Sequence, residues 1–133
     1  MTLTRVASNV PQGLEDLARR VIGCCLLVHR ELGPGLSEAV YQRACRMELE
    51  SERMAVEVEK PVPIRYRGRL ICTQRIDLLV DGQLIIEVKS IERIHPVHVA
   101  QAVSYLRATG LRIALVVNFN VPVLKQGIRR VVL

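Results

Sequence analysis

The sequence predicts an α/β domain with a mixed β-sheet flanked by helices, in the order α-α-β-β-β-α-β, with a short additional strand at the end. Three observations support this fold class. Apolar residues recur at helical spacing in the first third of the chain, and the middle third alternates between apolar and polar residues. Two continuous apolar strands then flank a helical segment, which is the pattern of a parallel crossover.

Two helices are predicted first. Pro11 can open the first helix, which runs for about six turns to Leu32 before Gly33-Pro34-Gly35 ends it. Ser37 is a suitable N-cap for a second helix that reaches about Arg53. The expected inward face of this second helix consists of Val40, Ala44 and Met47.

Strands follow from Val56, with an interruption expected at Pro61 and Pro63 and a turn at Arg67-Gly68. A long strand is predicted from about residue 70 to residue 80, and Asp81-Gly82 is a strong hairpin signal. The return strand is residues 84–89. Its first three residues, Leu84, Ile85 and Ile86, are apolar on both faces, which is typical of a central strand.

The last third predicts a helix, a strand and a short closing strand. Pro96 starts the helix and Gly110 ends it. Residues 113–117 form the second continuous apolar strand, which we expect to run parallel to residues 84–89. Residues 128–132 are expected to close the sheet.

The composition limits the classes of partner. The formal net charge of +6 favours polyanions, although many basic proteins bind none. With three Tyr, one Phe and no Trp, rows of base-stacking aromatics are not expected, so the phosphate backbone would carry most of the contact with nucleic acid. A chain that is 50% hydrophobic is also compatible with a homo-oligomer interface.

A cytoplasmic, soluble protein is expected. No apolar run reaches the roughly 18 residues that span a bilayer, and residues 1–10 lack a charged-then-apolar signal pattern. The four cysteines have neither zinc-site nor disulfide spacing. We expect them to be small buried apolar residues in a reducing compartment.

The candidate chemistry lies on the predicted hairpin. Glu87 and Lys89 are two apart on a strand, so they share a face, and burying both charges is costly unless they pair or bind something. Asp77 interrupts the apolar run of the neighbouring strand. Two carboxylates there would suit Mg²⁺, and the lysine could hold a water or stabilise a phosphate. The alternative is a buried ion pair that only supports the core.

The register of this hairpin decides between these alternatives. With a two-residue Asp81-Gly82 loop, Asp77 would face Ile86, and Asp77 and Glu87 would lie on opposite faces of the sheet. A joint site therefore requires a three-residue loop, a bulge or a sharp bend near Asp77.

Asp77, followed after nine residues by Glu87-x-Lys89, resembles the core motif of the PD-(D/E)XK nuclease superfamily. Residues 35–41 match the GxxExxY signature of one branch, and residues 28–35, 106–110 and 117–119 are also typical of it. The resemblance runs from about residue 14 to the C-terminus. It implies a restriction-endonuclease-like core in a single nuclease-like domain, residues 1–133.

The resemblance also implies a metal site for Mg²⁺ or Mn²⁺. Asp77 would be a principal ligand, Glu87 a second and the carbonyl of Val88 a third, with Glu38 as an additional carboxylate nearby. Lys89 would position the attacking water and stabilise the phosphate. Without the resemblance, Glu38 is simply a first-turn carboxylate favoured by the helix dipole.

Gln101 and Tyr105 are four apart on one helix face. The resemblance implies that they lie beside the metal and touch the phosphate or an ordered water. The plain alternative is a solvated glutamine and a half-buried tyrosine. His29 is expected to pack near the end of the first helix. His95 and His98 could approach a phosphate, and the three histidines do not suggest a zinc site.

Two arginine clusters are candidates for phosphate contacts, although solvated surface is the alternative for both. Arg65, Arg67 and Arg69 surround Gly68, and their period-two spacing predicts one face of a hairpin tip. Arg129 and Arg130 form the second cluster.

These observations together predict a metal-dependent, nuclease-like phosphodiester hydrolase acting on nucleic acid, with DNA expected. One alternative is a catalytically silent module that keeps the fold and binds nucleic acid or protein. A second is a small homo-oligomeric structural protein.

Overall fold

In residues 9–133, which the computed structural model describes, a five-stranded mixed sheet has two helices on one face and one on the other. The elements in chain order are α1 (Gln12–Leu32), α2 (Glu38–Ser51), β1 (Val56–Tyr66), β2 (Arg69–Val80), β3 (Leu84–Lys89), α3 (Pro96–Thr109), β4 (Ile113–Asn118), a 3-10 turn (Leu124–Gly127) and β5 (Ile128–Val132). The predicted order, including the final short strand, is confirmed.

The sheet order is β1-β2-β3-β4-β5, with β3 and β4 parallel and the other neighbours antiparallel. β4 is buried throughout, and β3 is buried except at Lys89, which is partly exposed. These two strands are therefore the central pair, as their continuous apolar runs predicted.

Two cores form because side chains of the central strands alternate between the faces of the sheet. Ile86 and Leu115 pack against α1 and α2 on one face. Ile85 and Ala114 pack with α3 on the other. Glu87 and Lys89 share the register parity of Ile85, so the strand directs them towards the α3 face.

The predicted inward face of α2 was wrong at Val40 and Met47, whereas Ala44 packs against the core as expected. Val40 is 43% exposed and Met47 is 65% exposed, whereas Tyr41 is fully buried. The loop before α2 sets this rotation, because the Tyr41 hydroxyl donates to the carbonyl of Gly33 and accepts from the N–H of Leu36. The prediction counted aliphatic residues and overlooked a tyrosine whose hydroxyl satisfies the loop backbone.

β1 continues through Pro61 and Pro63, contrary to the predicted interruption. It is an edge strand, where the missing proline N–H can face away from the partner. Cys72 is exposed on β2, so the expectation of burial holds only for the other three cysteines.

Within residues 9–133, none of the helices combines the length and apolar character that crossing a bilayer requires. The expectation about a leader concerned residues 1–10, of which residues 1–8 lie outside the described part.

Candidate active site

The β2–β3 hairpin has the three-residue loop that a joint carboxylate site requires. Leu78 pairs with Ile86 and Val80 with Leu84, which leaves residues 81–83 as the loop. Asp81 and Gly82 adopt φ angles of 50° and 64° in it. The same register, extended by one step, sets Asp77 opposite Glu87.

At that step, side-chain carboxylates take the place of the backbone carbonyls as hydrogen-bond acceptors between β2 and β3. The Val88 N–H donates to Asp77 Oδ2 at 2.7 Å, and the Asp77 N–H donates to Glu87 Oε2 at 3.1 Å. Each carboxylate therefore spans the gap at which β2 leaves β3, and the two hydrogen bonds hold the pair together.

β2 also bends at Asp77. Leu78 packs in the α1–α2 core, whereas Ile76, two residues earlier, packs in the α3 core. A straight strand would put both residues on one face. The hairpin thus has two of the three features named in advance, a three-residue loop and a bend.

Glu59 on β1 is an exposed neighbour of the carboxylate pair that sequence reasoning did not single out, and its carboxylate accepts from Gln42 Nε2 at 3.1 Å. It lies in register opposite Asp77, between the Val58↔Leu78 and Lys60↔Ile76 pairs, and its φ of 53° is strained for a non-glycine residue in a strand. The charge of Glu59 helps to raise the pKa of Asp77. Its only sequence signal was a carboxylate on an adjacent strand. The register that aligns it depends on a bulge further along the hairpin, which leaves no clear mark in the sequence.

Burial makes the carboxylate pair electrostatically unfavourable. Glu87 is 3% exposed, and burial followed by the charge of Asp77 raises its pKa to about 8. Burial also raises the pKa of Asp77, against the opposing effects of the Val88 N–H and the Lys89 charge. Because the pKa of Glu87 is raised to about 8, the pair can hold a proton at neutral pH.

Lys89 lies two residues beyond Glu87, where β3 ends. Its carbonyl accepts from the Phe119 N–H at 2.9 Å, and its neighbour on β4 is Asn118. The Asn118 side chain is buried and binds both the N–H and the carbonyl of Ile91, at 3.0 and 2.9 Å. These two hydrogen bonds hold the loop that follows Lys89 in place.

Glu38 reaches the same end of β3 from α2. It is the first residue of the helix, and its carboxylate accepts from the Ser90 N–H at 3.2 Å. Ser37 caps the helix, as predicted, by accepting from the Val40 N–H. Tyr41 stacks on Phe119 with ring centroids 4.6 Å apart, which joins the Glu38 segment to the end of β4.

Gln101 and Tyr105 lie on α3, on the face of the sheet that carries the carboxylates. Burial, followed by the charges of Glu87 and Asp77, raises the pKa of Tyr105 to about 12, and an interaction with Gln101 opposes this. The Tyr105 hydroxyl donates to Gln74 Oε1 at 2.9 Å. Gln74 on β2 is a second residue that the sequence did not single out.

The histidines fall into two groups. His29 Nε2 is 2.8 Å from the carbonyl oxygen of Val121, which is the packing role expected of it. His98 lies in the first turn of α3, and burial, then the charges of Lys89 and His95, lower its pKa while Glu38 opposes the shift. His98 therefore lies within electrostatic reach of Lys89 and Glu38, and its approach to a phosphate stays a prediction.

The structure does not bring the arginines to the carboxylates. Arg65 pairs with Leu70 and Arg69 with Tyr66, so Arg65 and Arg69 point to opposite faces of the hairpin tip, and the single-face prediction was wrong. Adjacent pairs of a ladder always alternate between faces, and the bulge and two-residue turn fix this register. Arg67 lies in the turn, with its guanidinium 5.5 Å from the Tyr66 ring centroid.

Arg129 and Arg130 are committed to contacts within the protein. Arg129 donates to the carbonyls of Gln126 and Ile128. Arg130 forms a two-pronged ion pair with Glu15 of α1.

The donor set fits a hard divalent cation. Among residues 9–133, no three His, Cys, Asp or Glu side chains are already gathered as metal ligands. Mg²⁺ typically needs only one or two carboxylates and keeps several waters. The buried pair of Asp77 and Glu87 meets that need, and a cation could replace the proton that the pair holds.

Comparison with protein families identifies the superfamily of this chain. A family model described as the PD-(D/E)XK nuclease superfamily matches residues 15–131, and the observed element order is consistent with its restriction-endonuclease-like core. Neither the curated proteins nor the solved structures give a significant match. Because the model covers most of the chain, including every candidate residue, this chain belongs to the PD-(D/E)XK nuclease superfamily.

Proposed function

We propose that the protein is a Mg²⁺- or Mn²⁺-dependent nuclease that hydrolyses phosphodiesters of nucleic acid, with DNA as the expected substrate. The observation that carries this proposal is the buried Asp77–Glu87 pair, cross-bonded between β2 and β3 with Lys89 on the same strand. A purely structural ion pair would match each carboxylate with a cation. Here two carboxyl groups are buried side by side, so ionising both is unfavourable until a cation binds between them.

In this mechanism Asp77 and Glu87 would hold the metal, with the carbonyl of Val88 and the carboxylate of Glu38 as further ligands. A bound Mg²⁺ would supply positive charge that stabilises the phosphate as negative charge develops on it. Lys89 has an ammonium at the open end of β3, where it can position the attacking water and share the stabilisation of the phosphate.

Gln101 and Tyr105 would contact the phosphate from the α3 side. Tyr105 keeps its proton at neutral pH because its pKa is raised to about 12, so its hydroxyl can act as a hydrogen-bond donor. In the structure that hydroxyl donates to Gln74. Binding of a substrate phosphate would redirect the bond, with Gln101 alongside.

We also propose that the chain falls in the GxxExxY branch. Support comes from Gly35, Glu38 and Tyr41, which have distinct physical roles. Gly35 has a φ of 101°, Glu38 reaches Ser90, and Tyr41 fastens the loop between them. The signature thus describes a segment that presents one carboxylate to the end of β3.

Cleavage of labelled single- and double-stranded DNA and RNA with Mg²⁺ or Mn²⁺ tests the proposal. Asp77→Asn and Lys89→Met should each lose at least about 100-fold in rate, the usual effect of removing a transition-state-stabilising group. Lys125→Met, at an exposed position of the 3-10 turn, is the matched control and should retain the parental rate.

A Lys89→Met variant as active as the parent would refute the mechanism. If the parent cleaves no substrate with either metal and shows no heat of Mg²⁺ binding in calorimetry, salt-sensitive binding to nucleic acid would instead favour the non-catalytic module.

A further inference from the structure

A hairpin arm projects from the sheet beside the carboxylates. β1 and β2 stay paired from Lys60↔Ile76 to Tyr66↔Arg69, whereas β2 pairs with β3 only through residues 78–80. We call residues 60–75 the hairpin arm; its root packs on the α3 side through Val62 and Ile64, and residues 65–75 are exposed. At ~3.3 Å per residue, it reaches roughly 25 Å beyond Asp77. Its root adjoins Asp77, so a ligand held along the arm would pass over the site.

The hairpin arm is basic at its root and around its tip. It has no acidic residue, and its five basic residues are Lys60, Arg65, Arg67, Arg69 and Arg75. Lys60 is paired with Glu57 at 3.1 Å. Within residues 9–133, none of the four arginines has a carboxylate within salt-bridge distance. For comparison, the formal net charge of the whole chain is +6, so this charge is concentrated on one projection.

These charges lie on both faces of the hairpin arm. Arg75 pairs with Pro61, and Arg65 lies four residues further along the same strand as Pro61, so both arginines point to one face. Arg69 pairs with Tyr66 on the other face. A flat surface could engage only one set of guanidinium groups, whereas a groove with walls on both sides could engage both.

The tip of the hairpin arm is also apolar. Tyr66, Leu70 and Ile71 are 62%, 56% and 64% exposed. Pairing with a strand of another chain is disfavoured at the β1 edge, because Pro61 and Pro63 supply no N–H. Because the tip is both basic and apolar, we expect its partner to combine negative charge with apolar groups that the tip can contact.

We propose that the hairpin arm is a two-stranded ribbon that enters the major groove of B-form DNA. This deepens the function proposed above, on which it rests, by naming double-stranded DNA as the substrate. The major groove, about 12 Å wide, admits a β-ribbon, and its thymine methyl groups suit an apolar tip. Arginines on both faces would meet the phosphates of the two strands. A-form RNA has too narrow a major groove, and a single strand has no groove.

Binding without cleavage tests this proposal. The probes are a labelled mixed-sequence DNA duplex of about 30 base pairs, roughly three helical turns, one of its strands alone, and an RNA duplex of the same sequence. Fluorescence anisotropy is measured in a chelating buffer over a range of salt concentrations. The test variant replaces Arg65, Arg67 and Arg69 with Ala. The control replaces the exposed residues Arg19, Arg30 and Lys125 with Ala and has the same net charge.

The parent should bind duplex DNA at least about tenfold more tightly than the other probes. Removing three arm arginines should cost at least about tenfold in affinity and reduce the salt slope by about 2–3. The control should lose less than about threefold, since its residues lie off the arm. A second variant, Leu70→Ser with Ile71→Ser, should weaken duplex binding with the salt slope unchanged. Because all these positions are exposed, matching circular dichroism and melting temperatures should verify the folds.

Equal affinities of the arm variant and the control would overturn the proposal, as would a parental preference for the single strand or the RNA duplex. If light scattering shows that the arm variant converts a dimer to a monomer with unchanged DNA affinity, the arm is a protein interface instead. Hydrolysis of bis(p-nitrophenyl) phosphate separates the two proposals, because so small a diester does not reach the arm. Arm-dependent duplex binding without any hydrolysis would overturn only the nuclease proposal. Hydrolysis with arm-independent binding would overturn only the ribbon.

Discussion

Replacing Glu87 with Gln removes the carboxyl group whose ionisation the fold opposes most directly. In the folded protein its pKa is raised from 4.5 to about 8, first by burial and then by Asp77. The folded state therefore holds a proton that the unfolded chain releases near pH 4.5. Stability from this group is fully present below pH 4.5 and is lost as pH rises towards 8. At about 1.4 kcal/mol per pKa unit, the loss between pH 5 and pH 8 is about 3–4 kcal/mol.

Urea denaturation in chelating buffer at a series of pH values measures this effect. The parent should lose stability steadily from pH 5 to pH 8, whereas Glu87→Gln should have a much flatter profile and be about 3 kcal/mol more stable at pH 8. Glu31→Gln, at an exposed position near the end of α1, is the control and should follow the parent.

Adding Mg²⁺ should restore the parent at pH 8 by about 2.7 kcal/mol at 100 times its dissociation constant, and should not restore Glu87→Gln. A parallel pH dependence in parent and Glu87→Gln would refute the reasoning, because the buried proton would then reside elsewhere.

Three further predictions concern the frame around the site. Tyr105→Phe should lower the free energy of unfolding by about 1 kcal/mol by removing the hydrogen bond to Gln74, as measured by urea denaturation. Gly127→Ala should cost at least about 2 kcal/mol, because its Cβ would lie 2.3 Å from a backbone carbonyl oxygen at the end of β4; Gly23→Ala, with open space around its Cβ, should instead add about 1 kcal/mol. A calorimetric melt that ranks these two glycine variants the other way would contradict the packing described for the 3-10 turn. Arg130→Ala should cost about 1–2 kcal/mol by breaking its partly buried ion pair with α1, while DNA affinity stays within about threefold of the parent. A tenfold loss of DNA affinity would restore Arg130 as a phosphate contact.

The central strands and their order were predictable because their sequence pattern has one physical solution. Six consecutive residues of β4 are buried, and no amphipathic element tolerates such a run. The same logic located Asp77, Glu87 and Lys89, since charges that follow an apolar strand must be compensated. Their meeting in space depended on the length of one loop, and the sequence could state this condition only as a requirement.

Other features depend on contacts that no local pattern encodes. The rotation of α2 follows from Tyr41 bonding to the loop before it, so counting Val40 and Met47 as inward failed. Glu59 became a neighbour of Asp77 through a bulge in which Ile71 is left unpaired, between the Ile64↔Cys72 and Arg65↔Leu70 pairs. Strand register and helix rotation at these positions are determined by the packing of the whole domain.

The three-residue loop at residues 81–83 also limits which insertions and deletions this sequence can tolerate. Substitutions in an exposed loop are usually mild, but deleting one residue would shift the register of β3 by one step. Glu87 and Lys89 would then turn towards the helices on the opposite side, and an apolar side chain would take the place of each. Two chains with the same site residues would thus differ in the proposed activity through the length of a loop outside the site. Relatives that retain the carboxylates but change their nine-residue separation are where loss of activity is to be expected first.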